Sequence, residues 1–258
     1  MAMFLDPSEL PSAAFTTELN NKYLQSHHQQ MHFQRIVGQR SWTMSLTPSH
    51  PNYGKLRFGI RPDELESCYS IRLIGSICCL EQPTWQWGWA NDLLPLDLVQ
   101  DVVETRDQHL SHVPEFQVSK FSLPTSSTMD PQTYSFQLAS VCCAHMKQAK
   151  AFFTAPDGRN GYVFVAIVDD SFPPPILESL SLVQEIMTVI TETDFLTNVP
   201  VAIDSFLTFL GAMKLVVGDR TNKETSTTYQ YAFPALAVGS IYVTLEESGQ
   251  FKKISTTK

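Results

Sequence analysis

Charge is scarce in this chain, and positive charge scarcest. Charged residues make up 17% of the 258, with 18 Lys and Arg against 26 Asp and Glu, leaving a net charge of −8. A surface that follows phosphates needs clustered cations. No such cluster occurs, which argues against nucleic acid as a partner. Long apolar runs are missing too. A membrane-spanning helix needs about 20 uncharged apolar residues, and the nearest approach, residues 201–218, is interrupted by Asp204 and Lys214. The first ten residues lack a basic stretch and carry Asp6 and Glu9, so they do not read as a secretory signal. The expected compartment is the cytoplasm, with no membrane partner.

Cysteine is limited to five residues: Cys68 and the adjacent pairs Cys78-Cys79 and Cys142-Cys143. An odd count in vicinal pairs is a poor disulfide framework, so free, buried thiols are expected. The familiar signatures of phosphate loops, dinucleotide folds, zinc hydrolases and serine nucleophiles do not occur. No cofactor and no metal is therefore assigned. His28 and His32 stand four apart, next to His27, on a predicted helix. Their flanks hold only Gln and Ser, so they read as a solvated polar face.

Apolar residues at 43% and aromatics at 11% do support a substantial core. A helix is expected over residues 8–35, then short strands at 41–47, 55–60, 69–80 and 84–90 in an antiparallel meander. A helix over 96–108 would bury Leu96, Val99, Val102 and Val103, and 116–123 reads as a strand. Asp130-Pro131 is a helix start, opening a stripe of Tyr134, Leu138, Val141 and His145. Residues 157–161 form the turn of a hairpin. Helices over 176–193 (Leu180, Val183, Met187 and Ile190 in phase) and 201–213 precede four closing strands. Clustered rather than alternating strands predict an α+β fold, a twisted antiparallel sheet with helices packed on it. The domain reading is an N-terminal helical segment, 1–40, packed on an α+β domain, 41–258, as one cooperative unit.

The most distinctive segment is Thr84-Trp85-Gln86-Trp87-Gly88-Trp89-Ala90-Asn91. On a strand, Trp85, Trp87 and Trp89 all project from one face. With Gly54-Lys55-Leu56-Arg57-Phe58 and Leu73-Ile74-Gly75-Ser76 upstream, and Leu94-Pro95 and Ala151-Phe152-Phe153-Thr154-Ala155-Pro156 downstream, the chain resembles a family of soluble, mostly bacterial domains of unknown function marked by a W-x-W-x-W-A-N segment. The resemblance implies a fold grouping and carries no activity.

Candidate site residues follow from chemistry. Asn91 and Asp92 leave the aromatic strand, where they would cap the next turn or orient a ligand against the tryptophans. His109 and His112, with Asp107 and Glu115, are the densest titratable cluster and could form an acid–base pair. Asp169 and Asp170 end an apolar strand ahead of a proline run. Cys142-Cys143 reads as packing. Two function classes stand. The leading one is a non-enzymatic binding module that meets a protein with a basic surface, toxin-neutralising immunity proteins being one form of it. The rival is an enzyme or small-molecule-binding protein with an aromatic pocket lined by Trp85, Trp87 and Trp89.

Overall fold

The computed structural model describes residues 5–125, 130–158, 160–175, 177–217, 226–234 and 239–257. Arg159 of the predicted turn and Ile176, where a helix was expected to open, lie outside the described residues. The contacts gather into two compact units. The first holds residues up to Glu18 and Gln29–Pro173; the second holds Leu19–His28 and the residues from Pro174 on. Among the described residues there are five α-helices and eleven strands, and every ladder between strands is antiparallel. The fold is α+β, as the sequence predicts, but with two sheets where one was expected. No helix among the described residues is long and apolar enough to cross a membrane.

Helix α1 spans Ala13–Val37 and begins later than its apolar spacing suggests. Pro7 opens a short 3-10 turn, and Pro11 disfavours α geometry in the residue before it. Ser12 then caps the helix, its hydroxyl accepting the Phe15 N–H at 3.1 Å. Strands β1 (Trp42–Ser45), β2 (Lys55–Phe58), β3 (Ser67–Cys78) and β4 (Thr84–Trp87) form the expected meander. β5 (Lys120–Ser122) extends it beyond β4, shorter than predicted because Pro114–Phe116 is a 3-10 turn. The hairpin of β6 (Ala151–Pro156) and β7 (Gly161–Ile167) lies against β3 through β7. Its turn uses Gly158 and Asn160 at φ +74° and +59°, as the residue types foretell.

Helices α2 (Leu96–His109) and α3 (Pro131–His145) belong to this first unit. α2 buries Leu98, Val99, Val102 and Thr105, whereas the expected Leu96 is 66% exposed. Asp130 caps α3 by accepting the Thr133 N–H at 2.8 Å. α3 is buried on almost every side, beyond the predicted stripe, with Tyr134, Leu138, Val141 and Cys142 at zero exposure. One cluster joins Phe33, Leu56, Phe58, Ile71, Leu98, Val165 and Phe172.

In the second unit, α4 (Ser179–Glu192) and α5 (Val199–Phe209) accompany a four-stranded sheet. Its order is β11 (Phe251–Thr256), β10 (Ile241–Leu245), β9 (Thr227–Ala232), β8 (Met213–Val217), which leaves β8 on an edge. Leu182, Ile186, Val189, Ile203, Phe206 and Leu207 pack there with Leu24 of α1. The predicted α4 stripe is rotated: Leu182, Ile186 and Val189 are buried, while Leu180 is 57% exposed. Leucines and valines occur on both sides of α4, so period alone does not choose the inner face.

Candidate functional site

Trp85 and Trp87 lie on one face of β4, as predicted, and both have zero exposure. Their rings meet edge to face at 5.1 Å; Trp85 adds Phe164 at 5.2 Å and Trp87 adds Phe116 at 4.3 Å. Trp87 Nε1 donates to the Glu115 carbonyl at 2.8 Å. Trp85 packs so closely on β3 that a Cβ at Gly75 would fall 2.6 Å from its ring. These two tryptophans are core, not the wall of an open pocket.

Trp89 leaves the row. β4 stops at Trp87, and Gly88–Ala90 turn as a 3-10 segment. Gly88 permits this because its backbone presses on β3: a Cβ there would sit 2.6 Å from the Leu73 carbonyl oxygen. Trp89 packs instead against the cluster containing Leu98 and Ile71, half-buried under the Arg106 guanidinium at 4.5 Å. The expectation of three rings on one face is corrected accordingly. Asn91 makes the turn into α2, its Oδ1 accepting the Leu93 N–H at 3.1 Å, and Asp92 is exposed. Leu93 and Leu96 follow at 90% and 66% exposure.

The predicted cluster of Asp107, His109, His112 and Glu115 is divided three ways. Asp107 pairs with its neighbour Arg106 at 2.7 Å. Glu115 turns fully inward, where its carboxylate accepts Ser12 N–H at 2.7 Å, Ser12 Oγ at 2.7 Å and Tyr134 OH at 3.0 Å. Burial and then the Glu115 charge push the Tyr134 phenol far above its ordinary range. His112 joins two residues that local spacing could not supply, Glu18 and His145. Glu18 sits between the imidazoles, 3.2 Å from His112 Nε2 and 2.8 Å from His145 Nε2, and His109 stacks on His145 at 5.7 Å. The His145 hydrogen bond lowers the Glu18 pKa against the opposing effect of burial, with His112 adding to it. Chemically this is a carboxylate-oriented histidine group, the arrangement used to hold an imidazole for proton transfer.

A family model matches residues 17–170, more than half of the chain, including the tryptophan segment and the whole Glu18–histidine group. The chain belongs to DUF6882, a family of unknown function. No curated protein and no solved structure matches it.

The DUF6882 region ends at Asp170, and the two terminal aspartates have different fates. Asp169 Oδ2 accepts the Ser70 N–H at 2.9 Å and its hydroxyl at 3.0 Å, while Oδ1 accepts Ser171 N–H at 3.0 Å. Burial raises its pKa, but these bonds from Ser171 and Ser70 outweigh that and hold it well below the carboxylate range. It fastens the β7 exit to β3. Asp170 is 97% exposed, 3.6 Å from Lys150. The two do not converge on a common point. Cys142 and Cys143 are buried in α3 of the DUF6882 region, their thiols pushed up by burial, Cys143 to about 12. Cys68, Cys78 and Cys79 are exposed, so the expectation of buried thiols fails for three of five.

The α1 histidines are corrected as well. His28 is buried, not solvated, and within the second unit its Nδ1 lies 2.9 Å from Glu185 Oε2, with His27 Nδ1 3.4 Å from Oε1. His32, in the first unit, bonds the Pro173 carbonyl at 2.8 Å. The pair four residues apart therefore diverges. Burial of Glu185 would raise its pKa, but the hydrogen bonds from His27 and His28 bring it down to about 2 from 4.5. A carboxylate depressed in the folded state adds stability that is complete above the unfolded pKa and is lost as pH falls toward the folded one. For Glu185 that window runs from about pH 4.5 down to 2, and a shift of that size is worth about 3 kcal/mol. Urea midpoints measured across this window should fall more steeply for the natural protein than for Glu185→Gln; parallel curves would show that Glu185 carries no such linkage.

Proposed function

We propose that this DUF6882 protein is a non-enzymatic binding module for a basic protein surface, engaged through the entry and outer face of α2. The observation that carries the reading is Leu93 and Leu96, 90% and 66% exposed three residues apart, with Asp92 and Asp97 beside them in sequence and Glu104 two turns further along α2. None of these three carboxylates has an ion pair among the described residues. The nearby cations are already taken: Arg72 pairs with Asp101 at 2.9 Å, and Arg106 with Asp107 and the Trp89 ring. An apolar centre with a charged rim is the anatomy of a binding surface. Unneutralised carboxylates steer a cationic partner to it. Trp85 and Trp87 are buried and are not contact groups; α2 itself lies against β3 and the Gly88–Ala90 turn. Toxin-neutralising immunity proteins, acidic modules that occlude a basic enzyme, are the specific form proposed, supported by the net charge of −8.

The test uses a cationic amphipathic peptide of leucine and lysine as probe, with affinity read by calorimetry at low and high salt. Replacing both leucines (Leu93→Ser with Leu96→Ser) should weaken binding about tenfold, as expected for loss of an apolar centre, with the melting temperature unchanged because both side chains are in water. Neutralising the exposed Glu246 and Glu247 elsewhere on the chain should leave affinity nearly unaltered. Equal effects of the two replacements would reduce the interaction to bulk charge and remove the proposed surface.

A further inference from the structure

A second arrangement, contained in the second unit, has the chemistry of a cation receptor. Tyr229 and Tyr231 stand two apart on β9 and present their rings to the same side. Asp204 of α5 faces them, its Oδ1 accepting the Tyr231 hydroxyl at 2.6 Å. Lys214 on the edge strand β8 brings its ammonium into this group, 2.7 Å from Asp204 Oδ1, 4.3 Å from the Tyr229 ring centre and 5.8 Å from that of Tyr231. A cavity of about 160 Å³ adjoins them, with Val201 and Val243 among its walls.

We propose that this cavity binds the alkylated ammonium head of an organic cation, with Lys214 as its displaceable internal occupant. Tyr231 is 2% exposed, and its hydroxyl bonds the Asp204 carboxylate, 40% of which stays open to water. Lys214 arrives on a four-carbon stem from an edge strand and keeps 39% of its side chain in water. Its withdrawal would leave a carboxylate and two negative ring faces around an empty cation position. Aromatic faces with a carboxylate favour a cation over a neutral group of the same shape. Alkyl groups on the nitrogen would gain contact with the rings and with Val201 and Val243, and they reduce the cost of stripping water from the charge. The cavity is too small for more than a head group, since whole-ligand pockets are about 300–1,000 Å³. Lys214, tethered beside the site, competes at high effective concentration and lowers the apparent affinity of any outside cation.

Choline is the probe, its uncharged carbon isostere neohexanol the control, and the full chain the sample. Replacing Lys214 with Met should tighten choline binding by about tenfold or more, because the resident competitor is gone. Neohexanol should not bind, and Tyr229→Leu in the same background should abolish choline binding. In the unaltered protein, choline titration should move the Lys214 ε-methylene proton resonances away from their ring-shifted positions as the side chain leaves. That measurement stands even if the Lys214 variant folds poorly. A parallel arm with a peptide carrying trimethyllysine separates a modified side chain from a free small cation as the source of the ammonium. Equal binding of choline and neohexanol, no gain on removing Lys214, or unmoved Lys214 resonances at saturating choline would each overturn the proposal.

Discussion

Trp87→Ala is expected to destabilise the protein by about 3–5 kcal/mol, the range for removing a large aromatic from a packed core. Its ring has zero exposure, sits 4.3 Å from Phe116 and 5.1 Å from Trp85, and its Nε1 bonds the Glu115 carbonyl. Truncation opens a void that those aromatics cannot close, and it leaves the carbonyl without that donor. Trp87→Phe keeps most of the ring and should recover the greater part, the lost hydrogen bond costing about 1 kcal/mol. Equilibrium urea unfolding with tryptophan and circular-dichroism readouts measures both. A Trp87→Ala protein with an unchanged midpoint would mean that the ring is not part of the core.

Glu115→Ala should be comparably damaging, on the order of 3–5 kcal/mol, although it removes little apolar surface. Three donors converge on this carboxylate from two distant stretches of chain: the Ser12 amide, the Ser12 hydroxyl and the Tyr134 phenol. Each buried donor left unmet costs about 1–3 kcal/mol. Ser12 also caps α1, so its displacement would loosen the first turn of that helix. Glu115→Gln should cost less, because one oxygen remains for Ser12 N–H and Tyr134 OH while the new amide meets the Ser12 hydroxyl. Tyr134→Phe removes a single donor and should cost least. An order of Ala, Gln, Phe in falling severity, read as denaturant midpoints, is the expected outcome. A midpoint for Glu115→Ala like that of an exposed substitution would show that the three bonds contribute nothing net.

The strand meander, the β6–β7 hairpin and the α3 start were legible because each rests on short-range chemistry. Period-two burial, turn residues suited to positive φ and an Asp-Pro cap all act within a few positions. What the sequence concealed was polar burial. The Gln- and His-rich face of α1 reads as solvated, and nothing within the helix reveals that Glu185 waits 157 residues away for His28. Glu115 was hidden differently: it reads as one of a titratable cluster with Asp107, His109 and His112, whereas its partners are Ser12 and Tyr134, outside that stretch. Trp89 was misplaced for a different reason. Alternation continues through it in the sequence, while the backbone turns at Gly88 to follow β3. In the candidate site, His112 was identified from its neighbours, but Glu18 and His145 come from other helices. Only the helical stripe that contains His145 offered a hint.

Helix α1 also sets the order in which the molecule can be completed. Residues on either side of Leu19–His28 belong to the first unit, and that ten-residue stretch to the second. A growing chain that has reached Pro173 holds every residue of the first unit, yet Leu24 and His28 still await Ile186, Glu185 and Ile203. At about 5–20 residues emerging per second, that stretch spends seconds uncovered. An all-apolar face would spend those seconds as a sticky stripe. This one offers Asn20, Gln25, Ser26 and His28, groups that water satisfies at no cost and that the finished protein then buries. Those four polar groups leave less apolar surface uncovered, beside Leu19 and Leu24, on a chain whose partners are still being made.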